Sequence, residues 1–148
     1  MSASNQRTSF LNPLGVKAPF NRGNIMKVHV IIAGGRDLTD QALVSSKMDK
    51  IMSNIPKQDI VVVSGKARGA DRLGEGWAKS RQIQIEEYPA NWDKWGKRAG
   101  YIRNEEMAKS ATHLVAFWDG VSRGTKHMIT LARKEGLKVR VIKYTNRG

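Results

Sequence analysis

Short apolar runs along the chain alternate with longer stretches in which apolar residues recur at helical spacing. Short runs rich in Val and Ile are typical of buried strands, whereas a repeat of three to four residues is typical of helices packed on one face. The runs predict strands at Val28 to Ala33, Ile60 to Val63, Ile83 to Tyr88, His113 to Trp118 and Lys138 to Tyr144. The periodic stretches predict helices at Asp40 to Ile55, Gly69 to Arg81, Arg98 to Ala111 and Gly124 to Glu135.

This alternation predicts an α/β fold of three layers, in which helices cover both faces of a mostly parallel sheet of about five strands. Right-handed crossovers place the loops that follow the strands along one edge of such a sheet, where open α/β sheets bind ligands. We expect Thr39 to be the N-cap of the first helix and Gly136 to end the last one. Pro89 to Lys97 is expected to be a loop.

The first 25 residues differ in composition from the rest of the chain. They are rich in Ser, Asn, Pro, Gly and Arg and contain no acidic residue and no continuous apolar segment. We therefore expect a flexible basic tail at residues 1–25 and a single domain at residues 26–148. Because no apolar run reaches the roughly 18 residues of a membrane span, we expect a cytoplasmic protein with no membrane partner.

The net charge is +13, from 26 Lys and Arg against 13 Asp and Glu. This excess predicts an anionic partner, which could be a nucleic acid, a nucleotide or an acidic surface. The alternative is that the charge only keeps the domain soluble. Cys is absent, and His29, His113 and His127 lie far apart, so we expect no metal site and no cofactor.

Four segments that follow strands carry the candidate ligand residues. Their glycines allow tight turns and close approach of the backbone to a ligand, two segments lead into helix N-termini that favour anions, and their arginines suit phosphate. The candidates are Gly34, Gly35, Arg36, Asp37, Ser64, Gly65, Arg68, Gly69, Asp71, Trp92, Arg103, Ser122, Arg123, Gly124 and Thr125.

Known phosphate-binding motifs do not match these segments. A Walker loop needs Gly and Ser or Thr at the positions that Ile60 and Ala67 occupy around Gly65-Lys66. The dinucleotide fingerprint G-x-G-x-x-G is missing after the first strand, where Gly34-Gly35-Arg36 stands. The sequence therefore favours neither a Walker ATP site nor an NAD site.

Three candidates have structural alternatives. Arg103 shares a helix face with apolar residues, so we expect it to be partly buried and to pair either with an acid (Asp37, Asp71 or Asp119) or with a ligand phosphate. Asp71 either complements the dipole of its helix or contacts a ligand hydroxyl. Trp92 either stacks on a base or caps the core.

The stretches "IIAGGRDLTD", "VVSGKARGADRLGEGWA", "WDKWGKRAGYIRNEEM" and "FWDGVSRGTKHMI" together resemble the SLOG superfamily, and within it the small single-domain YspA or YpsA-related branch, often bacterial or phage-encoded. The resemblance implies a Rossmann-like domain that binds nucleotides or their derivatives, and it adds Asn104, beside Arg103, to the candidate site. The expected ligand is a nucleotide or nucleotide-sugar similar to ADP-ribose, and self-association is a further possibility.

Two related groups supply alternative functions. The LOG enzymes, which are phosphoribohydrolases, carry P-G-G-x-G-T-x-x-E, but Met128 stands here where that glutamate would be. Because a thioether cannot polarise water, hydrolysis would need another acid, with Glu105 and Asp119 as candidates. The second group is DprA, whose similar loop at Ser64 to Asp71 implies binding of single-stranded nucleic acid as the other alternative.

Overall fold

The computed structural model describes residues 27–145, so the predicted basic tail at residues 1–25 lies outside the described residues. Within them, all strands join one parallel sheet in the order β3-β2-β1-β4-β5. The strands are β1 (Val28–Gly34), β2 (Ile60–Ser64), β3 (Gln84–Glu87), β4 (His113–Trp118) and β5 (Lys138–Lys143). The predicted α/β fold and its parallel sheet of five strands are confirmed.

The helices include the four predicted ones with shifted ends, and the first ends at Ile51, four residues before the predicted Ile55. They are α1 (Gln41–Ile51), α2 (Ala70–Ser80), α3 (Trp92–Trp95), α4 (Ala99–Ser110) and α5 (Arg123–Lys134). The predicted N-cap Thr39 is wrong by one residue, because the Asp40 carboxylate accepts the Leu43 N–H at 2.9 Å and caps α1. Gly136 has φ +81° directly after α5, as expected for the end of a helix.

The segment predicted as a loop at Pro89 to Lys97 contains a short helix instead. Asn91 accepts the Lys94 N–H at 3.1 Å and caps α3, and a 3-10 turn at Gly96–Arg98 continues directly into α4. All residues from 91 to 98 are exposed. Because this helix has no buried face, the sequence shows no apolar periodicity from which it could be predicted.

Two apolar cores lie on opposite faces of the sheet. Under α1 and α2, alternate residues of the central strands pack with Met48 and Trp77. Under α4 and α5, the intervening residues of those strands pack with Met107 and Ile129. The central strand β1 shows this clearly, since Val30 and Ile32 face the first core and Ile31 faces the second. The result is the predicted three-layer arrangement.

The strand order reverses direction between β1 and β4. From β1 the chain moves outward through β2 to β3, and it then crosses to the other side of β1 to form β4 and β5. The loops after β1 and β4 therefore separate to opposite faces of the sheet and leave a crevice at its carboxyl edge. No helix in residues 27–145 has the length and apolar character needed to cross a lipid bilayer.

Candidate functional site

A cavity of about 680 Å³ lies at the carboxyl edge of the sheet, where the strand order reverses. Its walls come from the end of β1, from the loops after β1, β2 and β4, and from α2, α3, α4 and α5. Ten of the sixteen candidate residues line it: Gly34, Arg36, Arg68, Asp71, Trp92, Arg103, Asn104, Ser122, Gly124 and Thr125. The volume is within the usual range for sites of small molecules.

Positive charge dominates the cavity wall. Five cationic side chains line it: Arg36, Lys66, Arg68, Lys97 and Arg103. Arg36, Arg68 and Lys97 are exposed, whereas Arg103 is partly buried, as its place on the helix face predicted. This charge distribution favours an anionic ligand.

The backbone of the β2 loop, rather than an acid, holds Arg103. Its Nη1 donates to the Gly65 carbonyl, and its Nε donates to Asn104 Oδ1 at 2.9 Å. A Cβ at Gly65 would stand 2.7 Å from Nη1, so a side chain there would displace the guanidinium. Among the described residues no ion pair joins Arg103 to any of the three acids expected as partners, and Nη2 has no hydrogen-bond partner there. The guanidinium is therefore fixed in place with donor capacity left for a ligand.

Ser64 lies outside the cavity wall, although it ends β2 at the same edge. It is buried and donates to Glu75 Oε2 at 2.6 Å, while Lys66 Nζ binds Glu75 Oε1 at 3.0 Å and Glu87 at 3.2 Å. Burial alone would raise the pKa of Glu75, but the bonds from Ser64 and Lys66 outweigh it and hold this pKa below its ordinary value. The structure thus makes Ser64 part of a network that fixes the β2 loop.

Asp71 lies in the first turn of α2 and faces the cavity. Its Oδ2 accepts the Ala67 N–H at 3.2 Å. Protein atoms crowd the carboxyl, and this burial raises its pKa to about 6 although the Ala67 N–H and the charge of Arg103 oppose the change. Asp71 is therefore an acid that loses its proton only near neutral pH.

The loop after β4 is fixed by Asp119. Its Oδ1 accepts the N–H groups of Val121 and Ser122 at 2.9 and 2.8 Å, and these bonds lower the pKa of Asp119. The loop leads into α5, where the Ser122 and Thr125 hydroxyls lie 3.1 Å apart and line the cavity. Arg123, a candidate from the sequence, is exposed and does not line the cavity.

The loops after β1 and β2 cross beside the cavity at Gly69. This residue has φ +78°, and a Cβ there would stand 2.1 Å from the Gly35 carbonyl oxygen. Gly35 is buried, so it and Gly69 shape the cavity from behind rather than line it. The exposed Asp37 also lies outside the cavity wall.

Aromatic side chains form the outer part of the cavity. Trp92 and Tyr101 are each 60% exposed and line it. Tyr101 meets the His127 ring edge-on, with centroids 4.8 Å apart. Tyr101, His127 and Lys97 were not singled out as site residues from the sequence, because their place at the cavity depends on how α4 packs against α5.

The acids proposed to replace the LOG glutamate do not line the cavity. Glu105 is exposed, Asp119 is occupied by loop amides, and Met128 is buried in the cavity wall. Within residues 27–145, Asp71 is the only acid among the lining residues. No group of three or more His, Cys, Asp or Glu in this part of the chain could hold a metal ion.

Fold and cavity together define a Rossmann-like α/β domain with a ligand-sized crevice at the reversal of its strand order. A model of the YspA, cpYpsA-related SLOG family matches residues 28–95. The chain is 34% identical over 116 residues to the Gene 61 protein of Mycobacterium phage D29, and the match spans 74% of this chain and 92% of that relative.

One solved structure shares the fold at low sequence identity. DNA processing protein A (DprA) from Streptococcus pneumoniae superposes with a TM-score of 0.63 at 15% identity, over 81% of this chain and 51% of that one. This chain thus spans about half the length of DprA. A predicted subunit of tRNA methyltransferase from Methanocaldococcus jannaschii gives a TM-score of 0.41 at 15% identity, over 84% of this chain and 70% of that one, too low a score to establish a common fold.

The chain belongs to the YspA, cpYpsA-related SLOG family. Membership in this family identifies the chain as a nucleotide-related Rossmann-like domain. The Gene 61 protein shows that a phage encodes a relative. The predicted superfamily and branch are confirmed.

Proposed function

We propose that this protein binds a nucleotide or nucleotide-sugar similar to ADP-ribose in the cavity at the carboxyl edge of the sheet. The observation that carries the proposal is a cavity of about 680 Å³ with five cationic side chains on its wall and aromatic rings at its mouth. Cations favour the phosphates, and exposed Trp and Tyr rings offer stacking surfaces to a base.

We propose binding rather than turnover because the cavity lacks the acid that the LOG mechanism requires. Met128 occupies the wall where the LOG glutamate would stand, and neither substitute considered from the sequence lines the cavity. Without a general acid or water-activating base at that position, the LOG hydrolytic mechanism has no counterpart.

Calorimetry of the full chain against ADP-ribose, NAD and mononucleotides tests the proposal. The variant Arg68→Ala should weaken binding roughly threefold to tenfold, because it removes an exposed cation from the cavity wall. The matched control Arg72→Ala removes the same charge from an exposed position on α2 that does not line the cavity. No binding by the unmodified protein at millimolar ligand would contradict the proposal, as would equal effects of the two variants.

Single-stranded nucleic acid is a second candidate ligand, favoured by the surface of α3 and the turn after it. Trp95 is 38% exposed, with Lys94 Nζ 4.9 Å and Arg98 Cζ 6.0 Å from its ring centroid. An aromatic ring flanked by cations can stack on a base while the cations contact phosphates, and the net charge of +13 adds long-range attraction.

Fluorescence anisotropy with a labelled oligothymidylate tests this second candidate. Affinity should fall steeply as salt rises, and Trp95→Ala should weaken it at fixed salt without affecting ADP-ribose, since Trp95 does not line the cavity. Absence of binding at low salt, or an unchanged affinity for Trp95→Ala, would rule out this role of the surface.

A further inference from the structure

The single acid in the cavity wall is unexpected where the surrounding charge is positive. Asp71 lines the cavity together with five cations, but it forms no ion pair within 4 Å with any residue of the described part of the chain. The charge of Arg103 acts on this carboxyl, but the hydrogen bonds that the guanidinium makes go to Gly65 and Asn104. The carboxylate is thus a hydrogen-bond acceptor in a cavity that otherwise favours anions.

In the β2 loop beside Asp71, two backbone N–H groups that could bind a phosphate already donate hydrogen bonds within the protein. The Lys66 N–H donates to Ser64 Oγ at 3.1 Å, and the Ala67 N–H donates to Asp71 Oδ2 at 3.2 Å. A phosphate at this end of the cavity would meet a carboxylate and would have to displace these bonds. Like charges at such short range repel strongly where water is partly excluded. The phosphate of a ligand is therefore disfavoured here.

A ligand hydroxyl group suits this end of the cavity better than a phosphate, because the Asp71 carboxylate needs a hydrogen-bond donor. It is a neutral donor, and a carboxylate accepts it in a short, charge-assisted hydrogen bond. Although burial raises the pKa of Asp71 to about 6, the group is still ionised at pH 7.5 and can accept such bonds. The sugar of a nucleotide carries two adjacent hydroxyls of this kind.

We propose that Asp71 accepts hydrogen bonds from the ribose hydroxyls of the bound nucleotide, so that the sugar lies against α2 and the phosphate lies away from it. Asp71 then selects ribose over deoxyribose. This assignment rests on the proposed nucleotide binding and deepens it, because it names the part of the ligand that the acid contacts.

The test combines removal of single hydroxyls from the ligand with removal of the charge from Asp71. Calorimetry at pH 7.5 measures AMP, 2′-deoxy-AMP and 3′-deoxy-AMP against the unmodified protein and against Asp71→Asn. The unmodified protein should lose about tenfold or more in affinity for at least one of the deoxy ligands, as expected for a hydrogen bond to a charged group. In Asp71→Asn the three ligands should bind within about threefold of one another.

A matched control and a folding check accompany this measurement. Asp37→Asn removes the same charge from an exposed position of the β1 loop outside the cavity wall, and it should keep the preference for ribose. Asn at position 71 retains an oxygen for the Ala67 N–H, and a melting temperature equal to that of the unmodified protein would show that the loop is intact.

The outcomes separate this assignment from the proposed function. If AMP and ADP-ribose both fail to bind the unmodified protein, both proposals fall. If AMP binds but the deoxy ligands bind equally well, or if Asp71→Asn keeps the full preference for ribose, only the assignment of Asp71 is overturned.

Discussion

At the scale of single residues, Gly69 is the position with the least room for a side chain. It has φ +78°, and a Cβ there would overlap the Gly35 carbonyl oxygen at 2.1 Å and approach the Arg36 Cα at 2.9 Å. Both atoms belong to the backbone, which cannot rotate away as the end of a side chain can. Gly136 has nearly the same φ, +81°, with nothing within 4 Å of its Cβ position.

Replacing these two glycines by alanine should therefore give different losses of stability. Gly136→Ala should cost about 1–2 kcal/mol, the price of a left-handed conformation alone. Gly69→Ala should cost about 4 kcal/mol or more, because the loops after β1 and β2 must also move apart. Urea unfolding of both variants checks this, and equal losses would contradict the crossing of the loops.

The raised pKa of Asp71 should make the stability of the fold depend on pH. Its pKa of about 6 lies above its value of 3.8 in an unfolded chain, so the folded state binds this proton more tightly. The contribution is present below pH 3.8 and is lost as pH rises through 6, by at most about 3 kcal/mol. Urea unfolding from pH 4 to pH 7 should show that the unmodified protein loses stability relative to Asp71→Asn by about this amount, and parallel pH curves would contradict it.

The sequence identified the loops of the site but not all the partners of their side chains. Glycine, serine and arginine after β1, β2 and β4 indicated a ligand edge, because parallel strands bring their carboxyl ends together. Ser64 was a candidate for the same reason. Its partner Glu75 lies in the next helix, α2, and contacts Ser64 only in the folded protein. A hydroxyl that binds a ligand and one that binds a buried acid have the same appearance in a sequence.

At the scale of secondary-structure elements, α1 and α2 are joined through Asp49. Its Oδ1 accepts the Trp77 indole N–H at 2.8 Å, and both carboxylate oxygens accept from Arg81, at 3.0 and 2.6 Å. The hydrogen bonds from Arg81 and then from Trp77 lower the pKa of Asp49. Trp77 is only 2% exposed, whereas Asp49 and Arg81 are both substantially exposed.

Removing the two partners separately should show which bond stabilises the pair of helices. Arg81→Ala should cost less than about 1 kcal/mol, because an exposed ion pair contributes little. Asp49→Ala should cost about 1–3 kcal/mol more, because the buried indole N–H then loses its acceptor. Asp49→Asn, which keeps an acceptor, should recover much of the difference in urea unfolding. Equal losses for Arg81→Ala and Asp49→Ala would contradict this division.

Elements with a buried face were predictable, and the one without such a face was not. β4 begins and ends at the predicted residues, since Leu114 to Phe117 form an apolar run that is buried on both sides of the sheet. α3 was missed because its residues are all exposed and its start depends on one side-chain bond from Asn91. Local capping is weak evidence until the flanking chain is fixed in space.

At the scale of the whole molecule, the five strands and the two apolar cores described above lie within residues 27–145. Sequence composition separates residues 1–25 from this domain, and they carry three basic residues, Arg7, Lys17 and Arg22, with no acid. Without them the chain would keep a net charge of +10. Because they contain no continuous apolar segment, we expect them to add little to the apolar core.

A chain that starts at Met26 should therefore have the melting temperature of the full chain and the same affinity for ADP-ribose. Thermal unfolding followed by circular dichroism, with calorimetry at the same ionic strength, checks both. A melting temperature lower by more than about 4 °C would show that the first 25 residues stabilise the domain, since a shift of that size corresponds to roughly 1 kcal/mol.

The two edges of the sheet carry charges of opposite sign. β3 presents Glu86 and Glu87, and β5 presents Lys138, Arg140 and Lys143. Two copies that met symmetrically, β3 against β3 or β5 against β5, would place like charges side by side. Matched charges arise only when β3 of one copy meets β5 of the next, and such a head-to-tail contact builds a ring or an open filament rather than a two-fold dimer. A closed dimer of this protein is accordingly expected to form through its helices or loops and not by extension of the sheet.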